Sequence, residues 1–286
     1  MTTLNILIAC YNDSVAEVPE IFLAQRGDVR YIVSHQMSRD YADDHPELAS
    51  RISRALDRSD VVYSAFVGKG LSQNRNRCLD VLADCLKSEF PSGQSSDGAG
   101  IAAAALKDQL CVIADDDVRY GEKSPERIIA LFSENPSADI VAFRIATPPG
   151  QPPFKEYPEA RFRVKKVPVY GRFCFSSIEL AFRLSSVLSG GIRFDENFGL
   201  GSAVWPEGGE ESVFLSDCLS SGMRMEYFPE YLVTHPYEST GKKRKTVRKA
   251  QMLEALAVRC RGKLSSAAFV GRLRVIYRRV LSDLRK

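Results

Sequence analysis

The sequence predicts an α/β protein: a doubly wound, mainly parallel sheet with flanking helices, continued by a basic helical C-terminal extension. Three observations predict it. Short apolar runs alternate with amphipathic stretches through the first 145 residues, the pattern of strands joined by crossover helices. One apolar run ends in three successive aspartates, Asp115, Asp116 and Asp117, and open α/β sheets hold their ligands at such strand ends. After Gly241 the composition turns sharply basic, which divides residues 1–241 from an extension at 242–286.

Residues 4–10 open the chain as an apolar strand, and a helical stretch follows near 15–24. Residues 29–34 and 61–66 read as the second and third strands. Ser72 predicts an N-cap for a helix reaching about Lys87, since its hydroxyl can accept from a first-turn N–H. Residues 91–100 are almost all turn formers and read as an insertion. Residues 109–114 form the strand that leads to the aspartates, 125–135 a helix and 139–144 a further strand. Five prolines between 147 and 158 (Pro148, Pro149, Pro152, Pro153, Pro158) take the chain out of the sheet along the surface.

The chain of 286 residues, 44% hydrophobic and 26% charged, suits one large α/β domain with an appendage. No basic, apolar leader opens it, and no apolar run approaches the roughly 20 residues that span a bilayer. Seven cysteines without a C-x-x-C pair suggest neither a disulfide framework nor a zinc site, so a cytoplasmic setting is expected. Residues 242–286 carry 15 Lys and Arg against only Glu254 and Asp283. Apolar residues recur there at helical spacing, with Leu253, Leu256 and Ala257, then Leu273, Ile276, Tyr277, Val280, Leu281 and Leu284. That pattern suits helices on an anionic membrane surface at the inner face; packing back on the body is the competing reading. No nucleic-acid recognition motif accompanies the charge, so no nucleic acid is expected as partner.

Five groups of residues can carry chemistry. Side chains alternate along a strand, so Asp115 and Asp117 project to one side and Asp116 to the other. Two converging carboxylates repel unless a cation lies between them. Mg²⁺ and Mn²⁺ prefer such oxygen ligands and share them with substrate phosphates. A solvated acidic turn is the competing reading. Arg75 falls on one helical face with Leu79, Leu82 and Leu86. Its guanidinium therefore points toward the sheet and needs a carboxylate or phosphate partner. A diphosphate would meet that need, and so would a plain ion pair with an aspartate. Glu210 and Glu211 follow two glycines and open a helix over 212–220. They serve either the helix dipole or, for one of them, proton abstraction. His235 ends an apolar run and is a candidate metal ligand. Trp205, the only tryptophan, could stack on an acceptor sugar or simply pack.

Taken together, these segments resemble a family-2 glycosyltransferase of the GT-A fold, over roughly residues 4–237. The strand entering Cys10-Tyr11-Asn12 is similar to that family's opening strand and nucleotide-binding turn. Gly70-Leu71-Ser72-Gln73-Asn74-Arg75-Asn76 resembles its helix start with an Arg-Asn pair, and Asp115-Asp116-Asp117 its D-x-D metal motif. Phe194-Asp195-Glu196-Asn197-Phe198-Gly199, then Gly209-Glu210-Glu211, is similar to its acceptor loop and acidic base motif. Tyr227-Phe228-Pro229-Glu230 and His235 resemble the segment that closes the domain.

The resemblance implies transfer of a sugar, with inversion, from a nucleotide-diphosphate sugar to an acceptor hydroxyl in surface polysaccharide synthesis. The donor would be a UDP-sugar and the acceptor a glycan or a lipid-linked glycan. It implies donor binding by Cys10, Tyr11, Asn12, Arg75, Asp115 and Asp116, and a Mn²⁺ or Mg²⁺ ion on Asp115, Asp117 and His235. By position Glu211 takes the role of base, with Glu210 the alternative, and Trp205 lies on the acceptor side. Two positions depart from the family pattern: Glu211 stands where an aspartate is usual, and Ser34-His35-Gln36-Met37 lacks the acidic residue common after the second strand. A non-catalytic sugar-nucleotide-binding module is the alternative. A sugar nucleotidyltransferase is disfavoured, because Ala9-Cys10-Tyr11-Asn12 stands where a glycine-rich phosphate loop would be.

Overall fold

Eight strands form one sheet in the order β3-β2-β1-β4-β7-β5-β8-β6. They are β1 (Thr3–Tyr11), β2 (Val29–Met37), β3 (Val61–Val67), β4 (Gln109–Asp115), β5 (Ile140–Ala146), β6 (Phe162–Val164), β7 (Leu180–Arg183) and β8 (Met225–Thr234). The structure is a computed structural model, and it describes residues 1–90, 103–168, 173–206, 208–238 and 246–260. The first four strands run parallel, as do β5 and β8, while β7 and β6 pair antiparallel to their neighbours. The described helices are α1 (Arg39–Asp44), α2 (Leu48–Ala55), α3 (Leu71–Glu89), α4 (Ala103–Lys107), α5 (Ser124–Glu134), α6 (Leu184–Ser189), α7 (Glu210–Ser220) and α8 (Thr246–Arg259).

Strand alternation divides the interior into two cores. Leu4, Ile6 and Ile8 of β1 join Leu110, Val112 and Ala114 of β4 on one face. Leu7, Cys111 and Ile113 go to the other, where α3 supplies Cys78, Leu79, Leu82 and Leu86. The near-continuous apolar runs seen in the sequence are what a sheet covered on both faces requires.

Several expectations need correction. The stretch near 15–24 is a 3₁₀ helix, Asn12–Ile21, with Pro19 inside it. A proline removes an N–H that a longer α-helix would need. Helix α3 starts at Leu71, and its N-cap is Gly70 with φ +113°, not Ser72. That backbone geometry is open to glycine and closed to serine. Ser72 lies buried, and its Oγ donates to Phe198 O at 2.6 Å. The strand bearing the aspartates stops at Asp115, so Asp116 and Asp117 belong to a turn and strand alternation does not reach them. The proline-rich segment does run outside the sheet, tied to it where Tyr157 Oη accepts from Ile145 N at 2.9 Å. The insertion at 91–100 lies outside the described residues.

The extension begins with a docked helix. Leu256 and Met252 of α8 are buried in the core shared with α7. Gly209 adopts φ +87°, which favours glycine, and a Cβ there would crowd Leu256 Cδ1 at 3.1 Å. Arg259 gives two bonds of 2.8 and 2.9 Å to the Asp217 carboxylate and one of 2.9 Å to Asp195. Residues 242–245 and 261–286, with the second apolar series from Leu273 to Leu284, lie outside the described residues. No described helix is long and apolar enough to cross a membrane.

Candidate active site

The carboxyl ends of β1, β2 and β4 open into a cavity of about 800 Å³. Parallel pairing sets these ends side by side: Asp115 is the register partner of Ala9, and Tyr11 that of Gln36. The Asp triplet therefore arrives at the cavity because β4 is central and ends there. Helix α3 enters from the adjacent loop and delivers Arg75 from its second turn; α7 delivers Glu210 and Glu211 in its own first turn.

Arg75 is the hub. Its Nη1 donates to Glu210 Oε1 at 2.8 Å, and its Nη2 donates to Asp115 Oδ1 at 2.8 Å and to Ser177 Oγ at 2.7 Å. Arg75 and Glu210 are only 3% and 5% exposed. Burial disfavours charge on the guanidinium, yet Asp115, Glu210 and Glu211 together hold its pKa above the ordinary value. The inward-pointing arginine finds carboxylates as its partners, one from each acidic motif. Arg75 Nε and Glu210 Oε2 are buried with no partner among the described residues.

The three aspartates have three separate attachments. Asp115 faces Arg75. Asp116 accepts from Ser14 Oγ, and burial, reinforced by Asp115 and Asp117, pushes its pKa up to about 6. Asp117 Oδ1 stands 3.2 Å from His235 Nε2. The other ring nitrogen, Nδ1, lies 2.6 Å from Pro236 O and must donate there, because a carbonyl only accepts. Nε2 then faces a carboxylate and needs a proton or a cation between them. Burial opposes the imidazolium, but Asp117 outweighs it and the His235 pKa is raised.

That pair fits a divalent ion. Neighbouring ligands on an octahedral cation with bonds of about 2.1 Å stand about 3.0 Å apart, close to the spacing observed. A histidine whose second nitrogen donates to a backbone carbonyl is the usual orientation of a metal ligand. Asp115, expected as a third ligand, is turned to Arg75, and no group of three metal-binding side chains converges among the described residues. A hard cation commonly takes one or two protein groups and completes its shell with phosphate and water.

The remaining expected residues divide. Cys10 and Tyr11 line the cavity, as does Glu211. Asn12 does not: it adopts φ +50° and folds the turn, accepting from Ser38 N through Oδ1 and from His35 Nε2 through its carbonyl. Trp205 is not a lining residue either. It stacks on Phe198 with ring centroids 6.4 Å apart, in the packing role that was its competing reading. Sequence reasoning missed Ser14, Gln36 and Ser177. Ser14 and Ser177 each reach their partner across 102 residues of chain, which no local pattern signals.

No family model matches the sequence, and no curated protein matches it. Solved structures do. Residues 1–349 of TarS from S. aureus match with a TM-score of 0.54 at 12% identity, over 93% of this chain and 68% of that one. The same TarS fragment with UDP gives 0.56 at 12% identity over 93% and 68%, and with UDP-GlcNAc 0.57 at 10% over 93% and 69%. On this likeness the chain has the GT-A fold of the TarS glycosyltransferase structures, with a mainly parallel sheet flanked by helices.

Proposed function

We propose that the chain is an inverting, metal-assisted glycosyltransferase that moves a sugar from a nucleoside-diphosphate sugar to an acceptor hydroxyl. The observation that carries this reading is the bridge made by Arg75. One buried guanidinium ties the end of β4, where a cation-binding carboxylate follows two residues on, to the paired glutamates that open α7. A leaving-group side and a proton-accepting side are thereby held at a fixed separation within one cavity. The TarS structures containing UDP and UDP-GlcNAc support a UDP-sugar as donor.

Asp117 and His235 would hold Mn²⁺ or Mg²⁺, with Asp115 adjoining. Bound there, the ion supplies a positive charge that offsets the charge developing on the departing diphosphate. Arg75 adds a fixed cation beside it. Glu211 lines the cavity in the first turn of α7, whereas the neighbouring Glu210 carboxylate is committed to Arg75. Glu211 is thus the group placed to take the proton from the acceptor hydroxyl, with Glu210 holding the arginine. The acceptor on this reading is a surface glycan or a lipid-linked glycan, and the basic charge of residues 261–286 supports apposition to an anionic surface.

Thermal unfolding with UDP-sugars, with and without Mn²⁺, tests the reading. The expected result is a rise in Tm for the nucleotide that is larger with Mn²⁺. In Asp117→Asn the Mn²⁺-dependent increment should vanish while the metal-free response persists. An increment that survives in the variant would remove Asp117 from the metal site.

A further inference from the structure

We infer that helix α8 of the basic extension positions the base: Leu256 and Arg259 hold the start of α7, and with it Glu211, against the loop at 194–201. The inference rests on the transferase reading above and deepens its acceptor side.

Two contacts on one helix face make the clamp. Met252, Leu256 and Arg259 recur at i, i+4 and i+7 and so share a face of α8. Leu256, 1% exposed, packs against Gly209, the N-cap of α7 and the residue before Glu210 and Glu211. Gly209 leads the chain into α7 through a left-handed backbone, φ +87° and ψ 0°. The direction of the helix is therefore set where the leucine presses. Arg259 joins Asp217, about two turns further along α7, to Asp195 in the loop. Asp195 also folds that loop, since its Oδ1 accepts from Asn197 N at 3.1 Å and from Asn197 Nδ2 at 2.9 Å, while its Oδ2 accepts from the arginine. One guanidinium thus fixes helix and loop to each other.

The clamped elements meet again at the cavity. Phe194 stacks on Phe214 of α7, with ring centroids 4.5 Å apart and planes 10° apart. Leu200 O accepts from Leu71 N at 2.8 Å, which ties the loop to the head of α3. A Cβ on Gly199 would approach Glu210 Oε2 to 3.4 Å. Leu200, Gly201, Glu210 and Glu211 all line the cavity. The wall that bears the proton-accepting glutamate is thus backed by α8. The cation side is attached elsewhere, Asp116 to Ser14 and Asp117 beside His235. Loosening α8 should therefore disturb proton removal from the acceptor more than the grip on the nucleotide.

Release of UDP from UDP-glucose and UDP-GlcNAc by the full chain, with Mn²⁺ and with water as acceptor, tests this beside calorimetry of UDP. In that reaction a water oxygen bonds to the anomeric carbon, the bond to the diphosphate oxygen breaks, and Glu211 takes the water proton. Leu256→Ala and Arg259→Met should each lower kcat by about tenfold or more, since a misplacement of roughly 1 Å can cost about 100-fold, with UDP affinity within about threefold of wild type. Leu256→Met, which nearly keeps the volume, should stay within about threefold of the wild-type kcat. Circular dichroism on each variant confirms that the assays read folded protein. Wild-type kcat in Leu256→Ala and Arg259→Met, or a loss of UDP affinity equal to the loss of kcat, would overturn the positioning role while leaving the transferase reading in place. So would a Leu256→Met variant as slow as Leu256→Ala. A wild-type chain that releases UDP from neither donor would remove the transferase reading and this inference together.

Discussion

Replacing Glu211 with glutamine is expected to reduce sugar transfer by about 10²–10⁴-fold, the contribution typical of a positioned general base. The affinity for donor should change by less than about threefold. The two glutamates are neighbours in sequence but differ in what surrounds them. Glu210 is nearly fully buried and its charge is balanced by Arg75 at 2.8 Å, so taking a proton there would cost that ion pair. Glu211 sits one residue on, at a lining position that an acceptor can approach. Glutamine keeps the length of the side chain and the start of α7 while removing the basic oxygen. Single-turnover transfer and donor calorimetry separate the two effects. Turnover at the wild-type rate would move the base to another residue.

Arg75→Met should cost about 3–5 kcal/mol of stability, the usual consequence of stripping one partner from a buried ion pair. Its neighbours explain the size. Without the guanidinium, Glu210 remains buried with no compensating charge, and Asp115 and Ser177 lose their shared donor. Urea unfolding at pH 7.5 reads the loss. A loss below about 1 kcal/mol at pH 7.5 would mean that Arg75 is not the hub its contacts indicate.

Much of the sheet is legible in the sequence because its strands read as unbroken apolar runs, those of β1, β2, β4 and β5 being buried on both faces. β1, β2, β3, β4 and β5 all lie within a few residues of where those runs fall. β7 is not legible. It has four residues, runs antiparallel, and is defined by being slotted between β4 and β5, a tertiary relation with no local signature. α1 buries none of its residues, so it lacks the apolar stripe by which a helix is recognised, and α2 is only eight residues long with Leu48 its one buried side chain. For the site, residue types revealed the acidic triplet, the inward arginine and the paired glutamates. They did not reveal that Arg75 joins two of these, since the partners lie 40 and 135 residues away. That Asp115 faces Arg75 has the same origin, since its partner lies 40 residues away in the chain. Ser72 was misplaced as a cap because Gly70, two residues earlier, adopts a left-handed backbone that only a glycine takes up freely.

The central claim is that this cavity closes on a cation and a nucleoside diphosphate together. Diffraction from crystals soaked in manganese and UDP, collected at the manganese absorption edge, tests it most directly. The account predicts an anomalous peak between Asp117 Oδ1 and His235 Nε2, bonded to the diphosphate. Crystals with full soaking concentrations whose cavity holds neither ion nor nucleotide, with Asp115 still on Arg75 and Asp117 still on His235, would contradict it.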